Sequence, residues 1–314
     1  MKAAIIKNFG DKTELQVVSD YPVPAINDDQ VLVAISATSV NPIDYKARQG
    51  LLSGRFQWQF PVVLGWDVAG EIIAIGKNVT DFSIGQRVFA RPANDVTGRF
   101  GSYAEFMAVD TNQLAKIPDN LTDSEAAAVP LAGETALQML RALQIGPGKK
   151  VLIQAGAGGV GIFAIQLAKL MGAQVATTVS ASNVALVQQL GTDIAIDYHK
   201  HAIQDILSDY DAVLDTIGDI DGGMDILSSG GRLITISPSL SPEQTQRAHN
   251  ETKTIATGWL QPNGQDLQQL ADYIANDQLK IIIDSQYPLT TSGIQAAHAR
   301  IESHHARGKI IINL

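Results

Sequence analysis

Short alternating hydrophobic runs occupy the first third of the chain. Residues 31–36, 68–75, 86–90 and 103–109 are β-type runs, and Gly, Pro, Asn and Asp separate them as turns require. Runs of this length and spacing favour a small barrel over a parallel sheet. We therefore predict a β-barrel domain over residues 1–118.

Beyond residue 120 the pattern changes to helices and strands in alternation. Thr122 and Glu125 form an N-cap signal before an alanine run. The alternation that follows predicts a doubly wound parallel sheet, and therefore an α/β fold. Strands are expected at 151–155, 174–179, 194–197, 212–216, 232–237 and 252–257, and helices at 133–143, 162–171, 183–190 and 266–275.

The tail of the chain returns to β-type runs, with a partly helical segment at 289–303. We expect this tail to rejoin the first domain. One domain is therefore predicted from residues 1–118 and 281–314, and a nucleotide-binding domain from residues 119–280.

A glycine-rich turn directly after the strand near residue 151 is the strongest chemical signal. Gly156, Gly158 and Gly161 occupy the three places of a G-x-G-x-x-G motif, with Gly159 and Val160 between the last two. Strand, turn and helix in this order predict a dinucleotide site, with the pyrophosphate at the helix N-terminus. The alternative is a plain glycine turn.

The residues after the next strand predict which dinucleotide binds. An NAD site usually places Asp or Glu about 20 residues beyond the glycine turn, yet no acid occurs between Lys169 and Asp193. Ser180, Ser182 and Asn183 stand there instead, and their side chains can donate hydrogen bonds to a 2′-phosphate. We predict NADPH; the alternative is that Ser182 or Asn183 caps a helix.

No lysine or arginine stands within this phosphate segment. Tyr198, Lys200 and Lys309 are candidates to supply the missing phosphate contact.

Composition removes several classes of function. The chain has 314 residues, no cysteine and a net charge of −9. Without cysteine there is no disulfide, thiolate metal site or cysteine nucleophile. The acidic balance argues against nucleic acid as a partner, and no apolar stretch is long enough for a membrane span. We expect a cytoplasmic protein.

Five ordered motifs resemble those of zinc-free medium-chain dehydrogenase/reductases, and the resemblance covers nearly the whole chain. The most similar subgroup is the quinone oxidoreductases, including zeta-crystallin and the chloroplast-envelope and mitochondrial reductases. The resemblance implies a GroES-like domain closed by the tail, a nicotinamide-cofactor domain inserted between, and a homodimer. The motifs lie at Asn41-Pro42-Ile43-Asp44-Tyr45-Lys46 and at residues 61–71, 85–88, 101–105 and 306–310.

Zinc-using relatives hold their catalytic metal with cysteine and histidine. Here Thr38-Ser39-Val40-Asn41 occupies the stretch of the first cysteine, and Gly65-Trp66-Asp67 replaces glycine-histidine-glutamate. The loop 91–101 has no cysteine for a structural zinc. We therefore expect no metal.

The same resemblance implies roles for individual residues. Asn41 would lie beside the nicotinamide as a catalytic and cofactor-binding residue, and Tyr45 would lie at the substrate. Thr135 would contact the cofactor phosphate or ribose, and the backbone around Ser237-Pro238 and Gly258-Trp259 would hold the carboxamide.

Several of these residues have structural alternatives. The Tyr45 phenol could donate to the oxyanion of a reacting quinone or enone, or simply cover the barrel. Phe56, Trp58 and Trp66 could form a flat apolar pocket or pack in the core.

Together these features predict an NADPH-dependent reductase that transfers hydride to a quinone or to the β-carbon of an enone. An enoyl-thioester reductase is one alternative, with Arg48, Arg55 and Arg99 as candidates to bind a phosphopantetheine arm. A non-catalytic NADPH-binding protein is the other.

Overall fold

A computed structural model describes residues 1–93, 97–237 and 239–314. Pro238, named above with Ser237, lies outside the described residues. The strands are β1 (Ala3–Ile6), β2 (Gln16–Val18), β3 (Gln30–Val40), β4 (Val62–Val63), β5 (Val68–Ile75), β6 (Arg87–Ala90), β7 (Phe106–Asp110), β8 (Leu114–Lys116), β9 (Lys150–Ile153), β10 (Gln174–Val179), β11 (Ile194–Asp197), β12 (Tyr210–Asp215), β13 (Leu227–Thr235), β14 (Thr254–Thr257), β15 (Ile283–Pro288) and β16 (Lys309–Asn313).

Helices of the α type connect many of these strands. They are α1 (Pro42–Arg48), α2 (Asp123–Ala127), α3 (Pro130–Ala142), α4 (Gly159–Leu170), α5 (Val184–Gln189), α6 (Ile220–Asp225), α7 (Pro242–Asn250), α8 (Gly264–Ala275) and α9 (Thr291–Glu302). Among the described residues, no helix combines the length and the apolar character that a bilayer crossing requires.

The chain divides into two compact units. The first contains residues 1–134, 262–277 and 281–314, and the second contains residues 135–261 and 278–280.

Strand β3 is the centre of the first unit. It pairs antiparallel with β5, β7 and β16, within a sheet ordered β15-β16-β3-β5-β6-β8. Val31, Val33 and Ile35 alternate along β3 and are buried, as expected for a strand with one face on a core. Strand β16, from the tail of the chain, therefore lies in the same sheet as β3.

The second unit is built on the predicted doubly wound sheet. Its six parallel strands have the order β11-β10-β9-β12-β13-β14. Successive strands are therefore added on one side of the sheet from β9 to β11 and on the other side from β12 to β14. That arrangement creates a topological switch point between β9 and β12, and ligands of such sheets bind at the carboxyl ends of the strands there.

The units differ from the predicted domains at helices α2 and α8, which belong to the first unit. In α8, the apolar face packs close to α3: a Cβ on Gly133 would lie 3.0 Å from Leu270. In α2, Asp123 accepts hydrogen bonds from Arg87 at 2.6 and 3.0 Å. These long-range contacts place α2 and α8 in the first unit, although the sequence pattern changes near residue 120.

Candidate functional site

The glycine-rich turn leads from β9 into α4. Ala155 adopts a left-handed φ of +52°, and its N–H is bound by Thr178 Oγ1 at 2.9 Å. Gly158 is the N-cap of α4 and has no side chain to satisfy the first-turn N–H groups. Those N–H groups, together with the helix dipole, can attract an anion to the start of α4.

Each of the three motif glycines meets a different steric demand. A Cβ on Gly156 would lie 2.1 Å from Thr177 Oγ1, and one on Gly161 would lie 2.5 Å from Ala155 O. The fold itself therefore requires glycine at both positions. At Gly158 the φ of −78° suits any residue, and an added Cβ would approach Ala155 O at 3.2 Å. The space beside Gly158 thus fits the close approach of an external group such as a pyrophosphate.

Polar groups also converge at the switch point, where β9 and β12 end. Thr216 Oγ1 donates to Gln154 O at 2.9 Å, and Gln154 Nε2 donates to Asp219 at 3.2 Å. Asp219 also accepts from Gly222 N at the start of α6. The buried Gln154 Oε1 has no hydrogen-bond partner among the described residues, so it can accept one from a ligand hydroxyl or a water molecule.

The predicted phosphate residues form a small cluster after β10. Ser180 Oγ lies 3.2 Å from Ser182 Oγ and accepts from Asn183 Nδ2 at 3.1 Å. Ser180 is the N-cap of a single 3₁₀ turn, Ala181–Asn183, and Asn183 is the N-cap of α5. Neither side chain makes a capping hydrogen bond. The capping alternative for Asn183 is therefore wrong, and Ser182 lies inside its turn rather than at the cap. The hydroxyls of the partly exposed Ser180 and the exposed Ser182 are accessible to a phosphate.

Parallel pairing brings one acid near this cluster. Asp197 pairs in register with Val179, the residue before Ser180. Its carboxylate lies 3.8 Å from Lys200 Nζ and accepts the His199 N–H at 3.2 Å. The usual spacing of about 20 residues from the glycine turn does not identify Asp197, because the register of β11 on β10 sets its position.

Exposed apolar side chains directly follow parallel strands in the second unit. Tyr198 after β11 is 53% exposed and Ile217 after β12 is 55% exposed. Trp259, near the end of β14, is 41% exposed. Exposed apolar side chains at the ligand-binding edge of a parallel sheet are typical of a binding site. A bound adenine or nicotinamide ring would cover them.

The remaining predicted cofactor residues lie in or beside these elements. Thr135 is in α3 and 6% exposed. Ser237 follows β13, is exposed, and donates its N–H to Thr235 Oγ1 at 3.2 Å. Gly258 follows β14, where a Cβ would lie 2.2 Å from Met139 Sδ. The cofactor contacts assigned to these residues stay predictions.

In the first unit, a capping box places Asn41. Asn41 is the N-cap of α1, Pro42 takes the first helical position, and Asp44 accepts the Asn41 N–H at 2.6 Å. The other Asp44 oxygen accepts the Gly65 N–H at 3.1 Å. This hydrogen bond joins the motif at residues 41–46 to the motif at residues 61–71. Burial, followed by the nearby Asp67 charge, raises the pKa of Asp44 to about 7 against the lowering effect of the Asn41 hydrogen bond.

Gly65 in turn determines where Asp67 lies. Its φ is +97°, and a Cβ there would lie 2.4 Å from Ser102 Oγ. Glycine is required on both counts. The chain then reaches Asp67 immediately before β5, with its side chain fully buried.

Asp67 is the centre of a buried polar network. Its Oδ1 accepts the Leu131 N–H at 2.7 Å, and its Oδ2 accepts from Asn41 Nδ2 at 2.7 Å and from the Ser39 hydroxyl. Lys309 Nζ lies 3.5 Å from the same oxygen and donates to Asn41 Oδ1. The sheet sets this arrangement, since β16 pairs Ile310 with Val40.

Lys309 is one of the residues predicted from the sequence to contact the phosphate. Its side chain is 2% exposed, and its ammonium is already bound to Asn41 and Asp67 in the first unit. Burial lowers its pKa, against the raising effect of Asp67. These contacts favour a role at Asn41 over the phosphate role.

Tyr45 lies one helical residue beyond Asp44 in α1 and is partly buried. Its hydroxyl makes no hydrogen bond to any residue that the structure describes, and its ring lies 6.3 Å from that of His304. Burial and the Glu302 charge raise the pKa of the phenol. Tyr45 therefore stays protonated at neutral pH and can donate a hydrogen bond.

Aromatic residues near α1 stack with one another. The Phe56 and Trp58 rings stack with centroids 4.6 Å apart, and Phe56 lies 6.4 Å from Trp66. Trp66 is 1% exposed and belongs to the hydrophobic core, so the core alternative is confirmed for this residue. Phe56 and Trp58 are partly exposed and pack against that core.

Arg48 is not an accessible basic group. Its side chain is fully buried, with Nη1 2.8 Å from His298 Nδ1 and Nη2 2.8 Å from Glu302. It therefore cannot bind a phosphopantetheine arm, and that part of the enoyl-thioester alternative is wrong.

The residues in the stretch that replaces the zinc ligands do not fit zinc. A zinc site needs several deprotonated ligands around one point. Here the Asp67 carboxylate is surrounded by a hydroxyl, an amide N–H and the Lys309 ammonium, all of which donate hydrogen bonds. Within residues 1–93, 97–237 and 239–314, no group of three or more His, Cys, Asp or Glu side chains converges as metal ligands do.

Metal removal should accordingly leave activity unchanged. We expect the purified protein to contain no stoichiometric zinc by elemental analysis and to keep its turnover after EDTA treatment, because an ammonium already neutralises Asp67. One tightly held zinc ion per chain, required for turnover, would contradict this interpretation.

The chain matches two family models. The alcohol dehydrogenase GroES-like domain matches residues 27–119, and the zinc-binding dehydrogenase model matches residues 190–312. An NADPH-dependent alkenal/one oxidoreductase of Arabidopsis thaliana is 36% identical, over 99% of this chain and 79% of the relative.

Solved structures are similar over the full length of the chain. A quinone oxidoreductase from Coxiella burnetii is 33% identical, with a TM-score of 0.93 over 100% of this chain and 99% of the other. A mycobacterial protein solved in complex with NADPH is 28% identical, with a TM-score of 0.87 over 100% of both chains.

Proposed function

The chain belongs to the medium-chain dehydrogenase/reductase superfamily, and on that premise we propose that it is a zinc-independent, NADPH-dependent reductase. Its acceptor is a quinone or the β-carbon of an α,β-unsaturated carbonyl compound. The observation that carries the proposal is Gly158. Its missing side chain leaves open the start of α4 at the switch point of the parallel sheet, where a Cβ would contact only Ala155 O, at 3.2 Å.

The second unit supplies the groups that hold the cofactor. The N–H groups of Gly159, Val160 and Gly161 at the start of α4 bind the pyrophosphate. Ser180 and Ser182 donate to the 2′-phosphate, with Asn183 holding Ser180 in place. The exposed faces of Tyr198 and Ile217 are apolar surface for the cofactor rings.

Bound NADPH supplies the hydride, and the protein supplies orientation and a proton donor. Hydride addition to the acceptor leaves negative charge on its carbonyl oxygen. The Tyr45 phenol is protonated and has no partner among the described residues, so it can donate to that oxygen. Asn41, anchored at both polar atoms, is a fixed carboxamide, and its catalytic role stays a prediction.

Similarity to the relatives supports the acceptor class. The names of the Arabidopsis and Coxiella proteins refer to alkenals, enones and quinones, all electron-poor planar acceptors. A zinc-free site fits such acceptors because the added charge is delocalised through the conjugated system, and hydrogen-bond donors can stabilise it without a Lewis acid. A homodimer and a cytoplasmic location stay predictions.

An acceptor screen tests the proposal. We expect NADPH consumption with 9,10-phenanthrenequinone and with enals or enones, and far less with saturated aldehydes and ketones. Tight NADPH binding with no consumption on any of these acceptors would instead support the non-catalytic binding protein.

Replacing Tyr45 with phenylalanine should lower kcat without weakening NADPH binding. Loss of one oxyanion donor costs about 100-fold or more in kcat. Tyr273→Phe is the matched control, because the Tyr273 hydroxyl lies in α8 and accepts from Gln269 at 2.9 Å. Steady-state kinetics of the two variants check this expectation, and equal kcat values for both variants would remove Tyr45 from the mechanism.

A further inference from the structure

We propose that Lys309 and Asp67 are positioning residues that fix the Asn41 carboxamide in a single orientation. The inference deepens the proposed function and rests on the role assigned to Asn41 there. The three side chains come from distant parts of the chain: Lys309 is 242 residues from Asp67 and 268 from Asn41.

A carboxamide can rotate by half a turn with almost no change of shape, so only its partners decide which end is oxygen. Asn41 Oδ1 accepts from the Lys309 ammonium, and Asn41 Nδ2 donates to Asp67 Oδ2 at 2.7 Å. An ammonium can only donate and a carboxylate can only accept. Rotation would place N–H against ammonium and oxygen against carboxylate, so one orientation is strongly favoured.

The partners of Asn41 are themselves held rigidly. Asp67 is fixed through Oδ1 by the Leu131 N–H at 2.7 Å and through its backbone oxygen by Thr38 Oγ1 at 2.7 Å. Lys309 begins β16, whose pairing with β3 sets its distance from Asn41. The carboxamide is therefore anchored both to the start of β16 and to the residue that precedes β5.

A charged pair fixes the orientation of the Asn41 carboxamide more strongly than neutral groups would. Hydrogen bonds to charged partners are stronger and shorter than neutral ones. The pair is also neutral overall, which limits the cost of burying both charges where the side chains are 0% and 2% exposed. The result is a preorganised dipole at Asn41 that needs no reorganisation during the reaction.

A double-mutant cycle on the full chain tests the inference. Lys309→Met removes the ammonium at similar size, and we expect kcat to fall about 10- to 100-fold, as misplacement of a reacting group does. NADPH binding, measured by fluorescence titration, should stay within about twofold of the wild-type value, since the pyrophosphate site lies in the second unit.

The cycle then separates an indirect effect from a direct one. In the Asn41→Ala background, Lys309→Met should lower kcat by less than about twofold further, because the residue on which it acts is gone. Lys309→Gln should recover part of the loss by donating one neutral hydrogen bond to Asn41. Equal reductions in both backgrounds, or a wild-type kcat in Lys309→Met, would overturn the inference.

A control variant and a substitute variant complete the cycle. Asp284→Asn weakens another ion pair of the first unit, with the partly exposed Arg300 at 2.5 Å, and so controls for general destabilisation. Should Lys309→Met not fold, the cycle is run with Lys309→Gln. Failure of the proposed function would show as no NADPH consumption by the wild type, whereas failure of this inference shows only in the variants.

The side-chain amide signals of Asn41 in an ¹⁵N–¹H spectrum give a readout without turnover. The wild type should show two resolved, slowly exchanging amide protons. Lys309→Met should shift and broaden both signals. Unchanged Asn41 signals in that variant would contradict the positioning role whether or not the protein is active.

Discussion

Replacing Gly158 with valine is expected to abolish NADPH binding while the chain stays folded. The added Cβ would make one tight contact, with Ala155 O at 3.2 Å, which a small shift of the backbone relieves, and the φ of −78° is normal for valine. It would instead fill the space where the pyrophosphate approaches the start of α4. Fluorescence titration with NADPH and a thermal melt measure the two outcomes separately.

Gly156 provides the matched control for this substitution. A Cβ there would lie 2.1 Å from Thr177 Oγ1, and Thr177 donates to Ile153 O at 2.5 Å, so the neighbour cannot easily move. Gly156→Ala should therefore lower thermal stability clearly, whereas Gly158→Val should not. A folded Gly158→Val protein that binds NADPH with wild-type affinity would show that the dinucleotide site is assigned wrongly.

Introducing a carboxylate at Ser180 is expected to reverse the cofactor preference. The wild type should prefer NADPH over NADH by about tenfold to a hundredfold in kcat/KM, because neutral donors contribute about 0.5–1.5 kcal/mol per hydrogen bond. In Ser180→Asp, a negative charge would repel the 2′-phosphate and offer the ribose hydroxyl of NADH an acceptor. Steady-state kinetics with both cofactors give the ratio.

Ser229→Asp is the control for added charge. Ser229 is exposed and lies near the start of β13, at the opposite end of the parallel sheet from Ser180. It should leave the cofactor ratio unchanged. A wild type that prefers NADH, or an unchanged ratio in Ser180→Asp, would remove the cluster after β10 from the phosphate site.

Local sequence patterns predicted much of this architecture. The parallel sheet and the glycine turn follow from short-range signals: an apolar run, a glycine spacing and helical periodicity. The N-cap signal at Thr122 and Glu125 is a capping box in the structure, with Glu125 accepting the Thr122 N–H at 2.9 Å. Asn41 and Asp44 form a second capping box, at the start of α1. This box explains physically why Asn, Pro and Asp occur at this spacing in the motif.

Pairings between distant segments were beyond the sequence alone. From the sequence, Lys309 is a candidate for the phosphate contact, and only the register of β16 on β3 shows that its ammonium is buried against Asp67. Asp197 likewise approaches the phosphate cluster through the register of β11 on β10. The one available signal was Asp67 itself, a carboxylate in the metal-ligand stretch of a chain without cysteine, which requires a cationic partner.

The carbon atom of the acceptor that receives the hydride distinguishes an enone reductase from an alcohol-forming enzyme. The wild-type protein is incubated with NADPH deuterated at nicotinamide C4 and an α,β-unsaturated ketone, and the product is analysed by mass spectrometry and NMR. We expect a saturated ketone that carries deuterium on its β-carbon, with one cofactor oxidised per product. Deuterium on the carbonyl carbon of an allylic alcohol, or bound NADPH that stays reduced, would contradict it.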